Sequence, residues 1–156
     1  MKVSELLKKN FIIANLQGNT KEDVINELID LFKNDPRVND LEKVRSSVME
    51  REKIISTGVG KGFAVPHGKT NSINEIIAAF GKTNNPLDYQ ALDNRPVNLI
   101  MLLVGRDNTV SIYMKLLSRI SRMMNSDDFR KKLSEANTDD EIFELFKKEE
   151  ENLYDI

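Results

Sequence analysis

The stretch Val97-Asn-Leu-Ile-Met-Leu-Leu-Val104 decides the fold class, because its apolar residues follow one another almost without interruption. A strand that is apolar on both faces must be covered on both faces, so we predict that this stretch is the central strand of a buried sheet. Two shorter apolar runs, Phe63–Val65 and Ile76–Phe80, are predicted to be strands of the same sheet.

Helices are predicted before and after these strands, where apolar residues recur at intervals of three and four. Thr20 and Asp23 have the spacing of a capping box and open a predicted helix over residues 21–34, which Asp35-Pro36 ends. The other predicted helices are residues 41–52, a long helix that carries Tyr113 and Met124, residues 126–134, and residues 138–148, the last opened by a capping box of Thr138 and Glu141. Helices interleaved with strands predict an α/β sandwich around one sheet.

The length and the residue inventory predict one domain and exclude several kinds of site. A chain of 156 residues without internal repeats or Gly/Ser/Pro-rich linkers is predicted to be a single domain over residues 1–156. The chain has no cysteine, which excludes disulfides, thiolate metal sites and cysteine nucleophiles. We therefore expect neither a metal nor a cofactor.

The distribution of charge and hydropathy limits the classes of partner. The 23 Lys and Arg residues are spread along the chain against 25 Asp and Glu residues, and the net charge of -2 does not favour nucleic-acid binding. No apolar run approaches the roughly 18 residues of a membrane span, and the N-terminus lacks the apolar core of a secretory signal. We expect a cytoplasmic chain that does not insert into a membrane. The acidic run Glu149–Glu151 is expected to be solvated.

Residues 51–70, REKIISTGVGKGFAVPHGKT, combine a glycine-rich segment with the single histidine of the chain. Alternate glycines over Ser56–Gly62 predict a loop rather than a helix or a regular strand. Pro66 fixes the φ angle immediately before His67, where the predicted strand Phe63–Val65 ends. This position favours His67 as the reactive group of a site.

His67 and its neighbours have the chemistry of a phosphoryl acceptor site. A neutral imidazole is a nucleophile near pH 7 and forms a labile phosphoramidate, so we predict that His67 accepts a phosphoryl group. Arg51 offers a planar set of hydrogen-bond donors to phosphoryl oxygens. Neutral hydrogen bonds to the phosphoryl group are predicted from the hydroxyl of Thr57 and from the backbone amides of Gly58, Gly60 and Gly62.

Two common phosphate-binding motifs do not fit this segment. Gly68-Lys69-Thr70 ends as a Walker A motif does, but Phe63 stands where that motif requires a glycine. Gly58-x-Gly60-x-Gly62 lacks the spacing of a dinucleotide-binding loop. Purely structural interpretations also stay open: a surface or hydrogen-bonded role for His67, a helix-dipole contact for Arg51, a turn for Thr57 and a core position for Tyr113.

Two motifs frame the candidate site. Glu50–Lys53 reads E-R-E-K, and Thr57–His67 reads T-G-V-G-K-G-F-A-V-P-H without a gap. Their residue types and spacing resemble the phosphoacceptor region of the enzyme IIA family of the sugar phosphotransferase system, in the fructose/mannitol class that includes the nitrogen-regulatory type. The resemblance continues through Asp93-x-Arg95-Pro96-Val97, the strand that ends at Val104, and Leu116-Leu117.

The resemblance implies a phosphocarrier with a mixed β-sheet between its helices, rather than an enzyme with free turnover. It implies that His67 accepts a phosphoryl group from the phosphohistidine of HPr or a paralogue, and that Arg51 stabilises that group. Two roles then stay open. Either the phosphoryl group passes to a cysteine of a IIB domain of a sugar permease, or the phosphorylation state of His67 selects a regulated target protein, as in the nitrogen-regulatory type.

Tyr113 occupies the position at which many members of the family carry a second histidine, immediately before Met114-Lys115-Leu116-Leu117. A tyrosine hydroxyl donates one hydrogen bond to a phosphoryl oxygen or to His67, but it carries no titratable charge near neutral pH. We therefore predict Tyr113 as a further contact of the site. Its presence favours the regulatory role over fast sugar-coupled transfer.

Overall fold

The computed structural model describes residues 1–154, in which a mixed six-stranded sheet lies between two layers of helices. The strands are β1 (Ile12–Ile13), β2 (Gly58–Gly60), β3 (Phe63–Ala64), β4 (His67–Lys69), β5 (Ile77–Leu87) and β6 (Val97–Gly105). The helices are α1 (Val3–Leu6), α2 (Lys21–Asp30), α3 (Leu41–Ile54), α4 (Val110–Met124), α5 (Asp127–Glu135) and α6 (Asp139–Tyr154). The predicted α/β sandwich with a central mixed sheet is confirmed. The predicted domain boundary at Ile156 lies outside the described residues.

The predicted central strand is β6. It pairs antiparallel with β5 on one side and parallel with β3 and then β4 on the other. The strand order is β1-β5-β6-β3-β2, and β4 continues the β3 side of β6. All residues of β6 except Asn98 are buried, as the apolar pattern predicted. Because β4 pairs His67 with Leu103, the imidazole lies near the C-terminal end of the central strand.

Alternate residues of β6 pack into two separate cores, as expected for a strand whose side chains point to opposite faces. One core lies against α1, α4, α5 and α6, and receives Leu99, Met101 and Leu103 from β6. The other core lies against α2 and α3, and receives Ile100, Leu102 and Val104. The two faces of the sheet therefore have different helices and different polar groups near His67.

α2 is shorter than its predicted span of residues 21–34. It begins as predicted, because the Thr20 hydroxyl accepts a hydrogen bond from the N–H of Asp23 at 3.1 Å. After Asp30, the N–H groups of residues 31–33 bond to carbonyls three residues back instead of four. The chain then turns at Asn34, whose φ is 67°. This tighter terminal turn ends the α-helix before Asp35-Pro36 is reached.

α6 is longer than its predicted span of residues 138–148, because its last part binds the N-terminus of α1. Glu150 accepts hydrogen bonds from the N–H groups of Val3 and Ser4, at 2.5 and 3.0 Å. The carboxylate is 2% exposed. The expectation that Glu149–Glu151 is solvated is therefore wrong for Glu150.

β5 is also longer than predicted. It ends at Leu87 rather than Phe80, because its register with β6 continues to the pair of Leu87 with Val97. Lys82 is buried within it and its ammonium group donates to the carbonyls of Ser134 and Ala136. Among the described residues, no helix has the length and apolar character needed to cross a membrane.

Candidate active site

His67 is the first residue of β4, directly after Pro66, and its side chain is half-buried. The ring atom Nδ1 lies 2.7 Å from the carbonyl oxygen of Val65. Because a carbonyl oxygen only accepts, Nδ1 carries the proton and donates it. The other ring nitrogen, Nε2, therefore keeps its lone pair.

The surroundings of His67 favour the neutral imidazole. Burial lowers the pKa of His67 below its ordinary value, while the hydrogen bond to Val65 opposes this change. The positive charges of Arg51 and Lys69 lower the pKa further, and the negative charge of Glu52 raises it. A neutral ring with an unprotonated Nε2 is the nucleophilic form of histidine.

Arg51 lies in the last turn of α3. Its Nη1 donates to the carbonyl of Ile55 at 2.8 Å, so it closes the C-terminal end of the helix. Its positive charge lowers the pKa of His67. Arg51 and His67, the two residues predicted to have the central roles, thus lie on elements that pack against each other, α3 and β4.

Tyr113, on α4, is a second neighbour of His67. The centroids of the two rings are 6.3 Å apart, and their planes are inclined by 57°. Gly105 makes room for the tyrosine, because a Cβ at that position would come within 2.6 Å of the Tyr113 ring. The ammonium of Lys69 lies 5.7 Å from the ring centroid. Tyr113 is both a core residue and a neighbour of His67, which the sequence left as alternatives.

The carbonyl of Thr57 accepts a hydrogen bond from the N–H of Val65, two residues before His67, but the Thr57 hydroxyl is buried in a polar network. The Thr57 hydroxyl and N–H both donate to the carboxylate of Glu52. The hydroxyl oxygen lies 3.0 Å from the Tyr89 hydroxyl, which is the donor because the Thr57 proton goes to Glu52. The ammonium of Lys21 completes the network 2.8 Å from the same carboxylate. The phosphate contact predicted for Thr57 would require this network to rearrange, and it stays a prediction.

Glu52, Lys21 and Tyr89 were not identified from the sequence. For Glu52 a signal exists, because it follows Val44 and Val48 at intervals of four and so places a charge on the apolar stripe of α3. No comparable pattern marks Lys21 at the start of α2 or Tyr89 after β5. The network joins α2, α3 and the residue before β2, and Glu52 is next to Arg51 in the chain.

The glycine-rich segment is partly a strand, and the prediction of a loop over Ser56–Gly62 is wrong in this respect. Gly58–Gly60 pairs antiparallel with β3, and the register is irregular between its ends. The turn that follows requires Gly62, whose φ is 86°. Gly58 packs so closely against Ala91 that a Cβ would lie 2.8 Å from the alanine Cβ.

Close packing explains Gly58, and positive φ angles of 113° and 86° explain Gly60 and Gly62, without a phosphoryl group. The amide of Gly58 already donates to the Ser56 hydroxyl at 3.1 Å. The phosphate-binding role of Gly58, Gly60 and Gly62 therefore stays a prediction. The part of the chain that the structure describes contains no cluster of three or more His, Cys, Asp or Glu side chains suited to a metal ion.

Most of the chain matches a known protein family. Residues 5–149 match the family described as "Phosphoenolpyruvate-dependent sugar phosphotransferase system, EIIA 2". The fructose-specific EIIABC component of the phosphotransferase system of Bacillus subtilis is 33% identical over 145 residues, which are 93% of this chain and 23% of that protein. The chain thus corresponds to only a part of that larger relative.

Two proteins of the nitrogen-regulatory type match over nearly their full length. The nitrogen regulatory protein of Bradyrhizobium diazoefficiens is 29% identical over 145 residues, which are 93% of this chain and 94% of the relative. The crystal structure of nitrogen regulatory protein IIA-Ntr from Neisseria meningitidis superimposes with a TM-score of 0.86 at 25% identity. That superposition covers 92% of this chain and 98% of the other.

Proposed function

This chain belongs to the EIIA 2 family of the phosphoenolpyruvate-dependent sugar phosphotransferase system and is a phosphocarrier, and we propose that His67 is its phosphoryl acceptor. The observation that carries the proposal is the hydrogen bond from Nδ1 of His67 to the Val65 carbonyl. This bond orients the ring and occupies one nitrogen. Nε2 is then the nitrogen that bonds to phosphorus.

In the proposed transfer, the Nε2 lone pair of His67 attacks the phosphorus of a donor phosphohistidine. A P–N bond to Nε2 forms while the P–N bond of the donor breaks, and the donor nitrogen takes back its electron pair. The carbonyl of Val65 stabilises the partial positive charge that the ring gains, because it accepts the Nδ1–H bond. Arg51 places a positive charge beside the phosphoryl oxygens.

Exposed apolar side chains around the site support a protein as donor. Ile54 and Ile55 follow Arg51 and are 79% and 53% exposed. Ile112 and Met114 flank Tyr113 and are 42% and 56% exposed. Apolar side chains grouped around a reactive residue are typical of a surface that another protein covers. We propose that HPr or a paralogue, which carries phosphohistidine, is this donor, and that the transfer takes place in the cytoplasm.

The proposed role of the phosphorylated chain is regulatory. Its support is the near full-length match to nitrogen regulatory proteins, together with the tyrosine at position 113. In this role, the phosphorylation state of His67 decides whether a target protein binds. The alternative is sugar transport, in which a IIB cysteine receives the phosphoryl group, and the 33% identity to a fructose-specific EIIABC component favours it.

The acceptor is tested by incubating the chain with enzyme I, HPr and phosphoenolpyruvate and measuring its intact mass. We expect one acid-labile phosphoryl group on the wild type and none on His67→Ala. Arg51→Ala is expected to be phosphorylated about tenfold more slowly, because one charge-assisted hydrogen bond is lost. Circular dichroism spectra establish that each variant is folded. An unlabelled wild type, or equal labelling of His67→Ala, would exclude His67 as the acceptor.

The two roles are separated by adding IIB domains of fructose and mannitol permeases to the phosphorylated chain. If the chain is regulatory, its phosphohistidine persists in their presence, and binding of a target protein differs between the phosphorylated and unphosphorylated forms. Rapid loss of the phosphoryl group to a IIB cysteine supports the transport role instead.

A further inference from the structure

A cavity of about 510 Å³ lies between the segment that follows β1 and the second half of β5. Its lining includes Leu16 and Leu87, which belong to the core against α2 and α3. Thr83 also lines the cavity and is 4% exposed. Among the described residues, the buried side-chain hydroxyls without a hydrogen-bond partner are those of Thr83 and Tyr113. A buried polar group without a partner is costly and uncommon, so the hydroxyl of Thr83 at this cavity needs an explanation.

An irregular part of β5 forms one wall of the cavity. The regular pairing of β5 with β6 ends at Lys82, and the register is shifted before pairing resumes at Leu87. Thr83 lies in this interval together with Asn84 and Asn85, which are exposed. Irregularities of this kind redirect side chains away from the regular alternation of a strand and are frequent beside functional sites. Here they place polar side chains at the cavity.

Neutral amide side chains make up most of the cavity lining. Five of the lining residues carry a carboxamide, namely Asn15, Gln17, Asn19, Asn84 and Asn85. In the described part of the chain, the only ionisable residue that lines the cavity is Asp88. A carboxamide both donates and accepts hydrogen bonds, as a hydroxyl group does, but it neutralises no charge. This lining therefore fits a neutral ligand with many hydroxyl groups better than an ion or an apolar molecule.

Hydrogen bonds hold the two walls of the cavity in place and leave amide groups for a ligand. The carboxylate of Glu27 on α2 accepts a hydrogen bond from the N–H of Gln17 at 3.0 Å. The side chain of Asn84 donates to the side-chain oxygen of Asn15 at 2.7 Å, which links the two walls. The carboxamide of Asn85 has no hydrogen-bond partner among residues 1–154. The lining is thus largely formed before a ligand binds.

We propose that this cavity binds a neutral polyhydroxylated molecule, a monosaccharide or a sugar alcohol, and that the Thr83 hydroxyl bonds to one of its hydroxyl groups. The volume of the cavity is within the range of small-molecule sites, about 300–1,000 Å³. The ligand supplies the partner that Thr83 lacks, so binding removes the cost of the unpaired hydroxyl.

The proposed cavity site is separate from the proposed phosphoryl site. Thr83 follows Lys82, which pairs with Leu99, whereas His67 pairs with Leu103, about 13 Å further along β6 at the usual rise of a strand. β4, which carries His67, also lies on the other side of β6 from β5. Binding at the cavity therefore goes beyond the proposed phosphocarrier role, and it is measured on the unphosphorylated chain.

Binding is tested by ¹H–¹⁵N NMR titration of the full chain with D-mannitol, an open-chain sugar alcohol, and with D-glucose, a ring-form monosaccharide. We expect saturable shifts of the signals of residues 15–19 and 83–85 with one or both probes, with a Kd on the order of 1 mM. The probe that binds more tightly identifies which of the two forms the cavity takes. Gluconate has similar hydroxyl groups but a negative charge, and we expect it to bind about tenfold more weakly because the lining offers no cation. The absence of saturable shifts with both neutral probes, or binding of gluconate as tight as theirs, overturns the inference.

Thr83→Val tests the role of the hydroxyl, because it removes the hydroxyl and keeps the shape of the side chain. We expect it to bind the neutral probe about tenfold more weakly than the wild type. Its melting temperature is expected to equal or exceed that of the wild type, since an unpaired buried hydroxyl is removed. A weaker affinity in this variant therefore does not arise from unfolding. Equal affinities of Thr83→Val and the wild type overturn the inference.

Two asparagine variants give a matched comparison of amide groups. Asn85→Ala removes a carboxamide from the cavity lining, and we expect about threefold weaker binding. Asn125→Ala removes an exposed carboxamide at the end of α4, which packs against the opposite face of the sheet. Its affinity is expected to equal that of the wild type. An equal loss of affinity in the two variants overturns the assignment of the ligand to this cavity.

Discussion

Tyr89 and Tyr113 are both fully buried, but they lie on opposite faces of the sheet and their hydroxyl groups have different surroundings. The Tyr89 hydroxyl bonds to Thr57 and joins the network of Glu52 and Lys21. The Tyr113 hydroxyl is without a partner in the described part of the chain. One face thus has a completed polar network and the other has an incomplete one.

The difference separates a structural role from a functional one. A buried network in which each donor has an acceptor stabilises one conformation, and here it holds the glycine-rich segment against α2 and α3. An unpaired buried donor destabilises the fold, so such a donor is retained where a ligand supplies its hydrogen-bond acceptor. Mutations on the Tyr89 face are therefore expected to change the free energy of unfolding. Mutations on the Tyr113 face are expected to change phosphorylation.

The largest effect is expected from breaking the network at its ion pair. Lys21 and Glu52 are 9% and 7% exposed. Glu52→Gln keeps the size of the side chain but leaves the charge of Lys21 buried without its partner. We expect the free energy of unfolding to fall by about 3–5 kcal/mol, measured by urea denaturation followed by circular dichroism.

A double variant tests whether the pairing itself is responsible. Lys21→Met with Glu52→Gln removes both charges, so no unpaired ion remains. We expect it to be more stable than Glu52→Gln alone, because the double variant leaves no buried charge without its partner. If the double variant loses as much stability as the two single variants added together, Lys21 and Glu52 do not interact as the network requires.

A smaller effect is expected when the same substitution, tyrosine to phenylalanine, is made on the two faces of the sheet. Tyr89→Phe removes a hydrogen bond to Thr57, so we expect the free energy of unfolding to fall by about 1 kcal/mol. Tyr113→Phe removes no hydrogen bond and relieves an unpaired hydroxyl, so its stability is expected to equal or exceed that of the wild type. Urea denaturation of both variants measures the difference. Equal destabilisation of the two would show that the hydroxyl of Tyr113 is also paired in the unphosphorylated chain.

The residues that the sequence predicted best are those that depend on local pattern. The continuous apolar run identified β6, and the helical periodicity placed α3 so that Arg51 lies at its last turn. The adjacent Pro66 and the end of the strand then placed His67. These inferences need only the neighbours in the chain, so they agree with the structure.

The remaining features depend on contacts between distant residues. Glu150 extends α6 by binding the start of α1, some 146 residues away in the chain, and no local pattern reveals that pairing. α1 and β1 are too short to show a period and were not predicted. Glu52 was visible only as a charge on an apolar stripe, because its partners Lys21 and Tyr89 come from other elements.

The smallest expected effect is the pH dependence that the single imidazole adds on the Tyr113 side of the sheet. Burial lowers the pKa of His67 in the folded chain, whereas the unfolded chain has a value near 6.5. Between these two values the unfolded state binds more protons, so the free energy of unfolding falls as the pH drops through about 6.5 and rises again with pH. Urea denaturation from about pH 8 to about pH 5.5 should therefore show a shallower dependence in His67→Gln than in the wild type. Carboxylates titrate alike in both proteins, so the difference between the two curves reports His67 alone. Identical curves would mean that the pKa of His67 is the same in the folded and the unfolded chain. The site would then not favour the neutral, nucleophilic form of the ring.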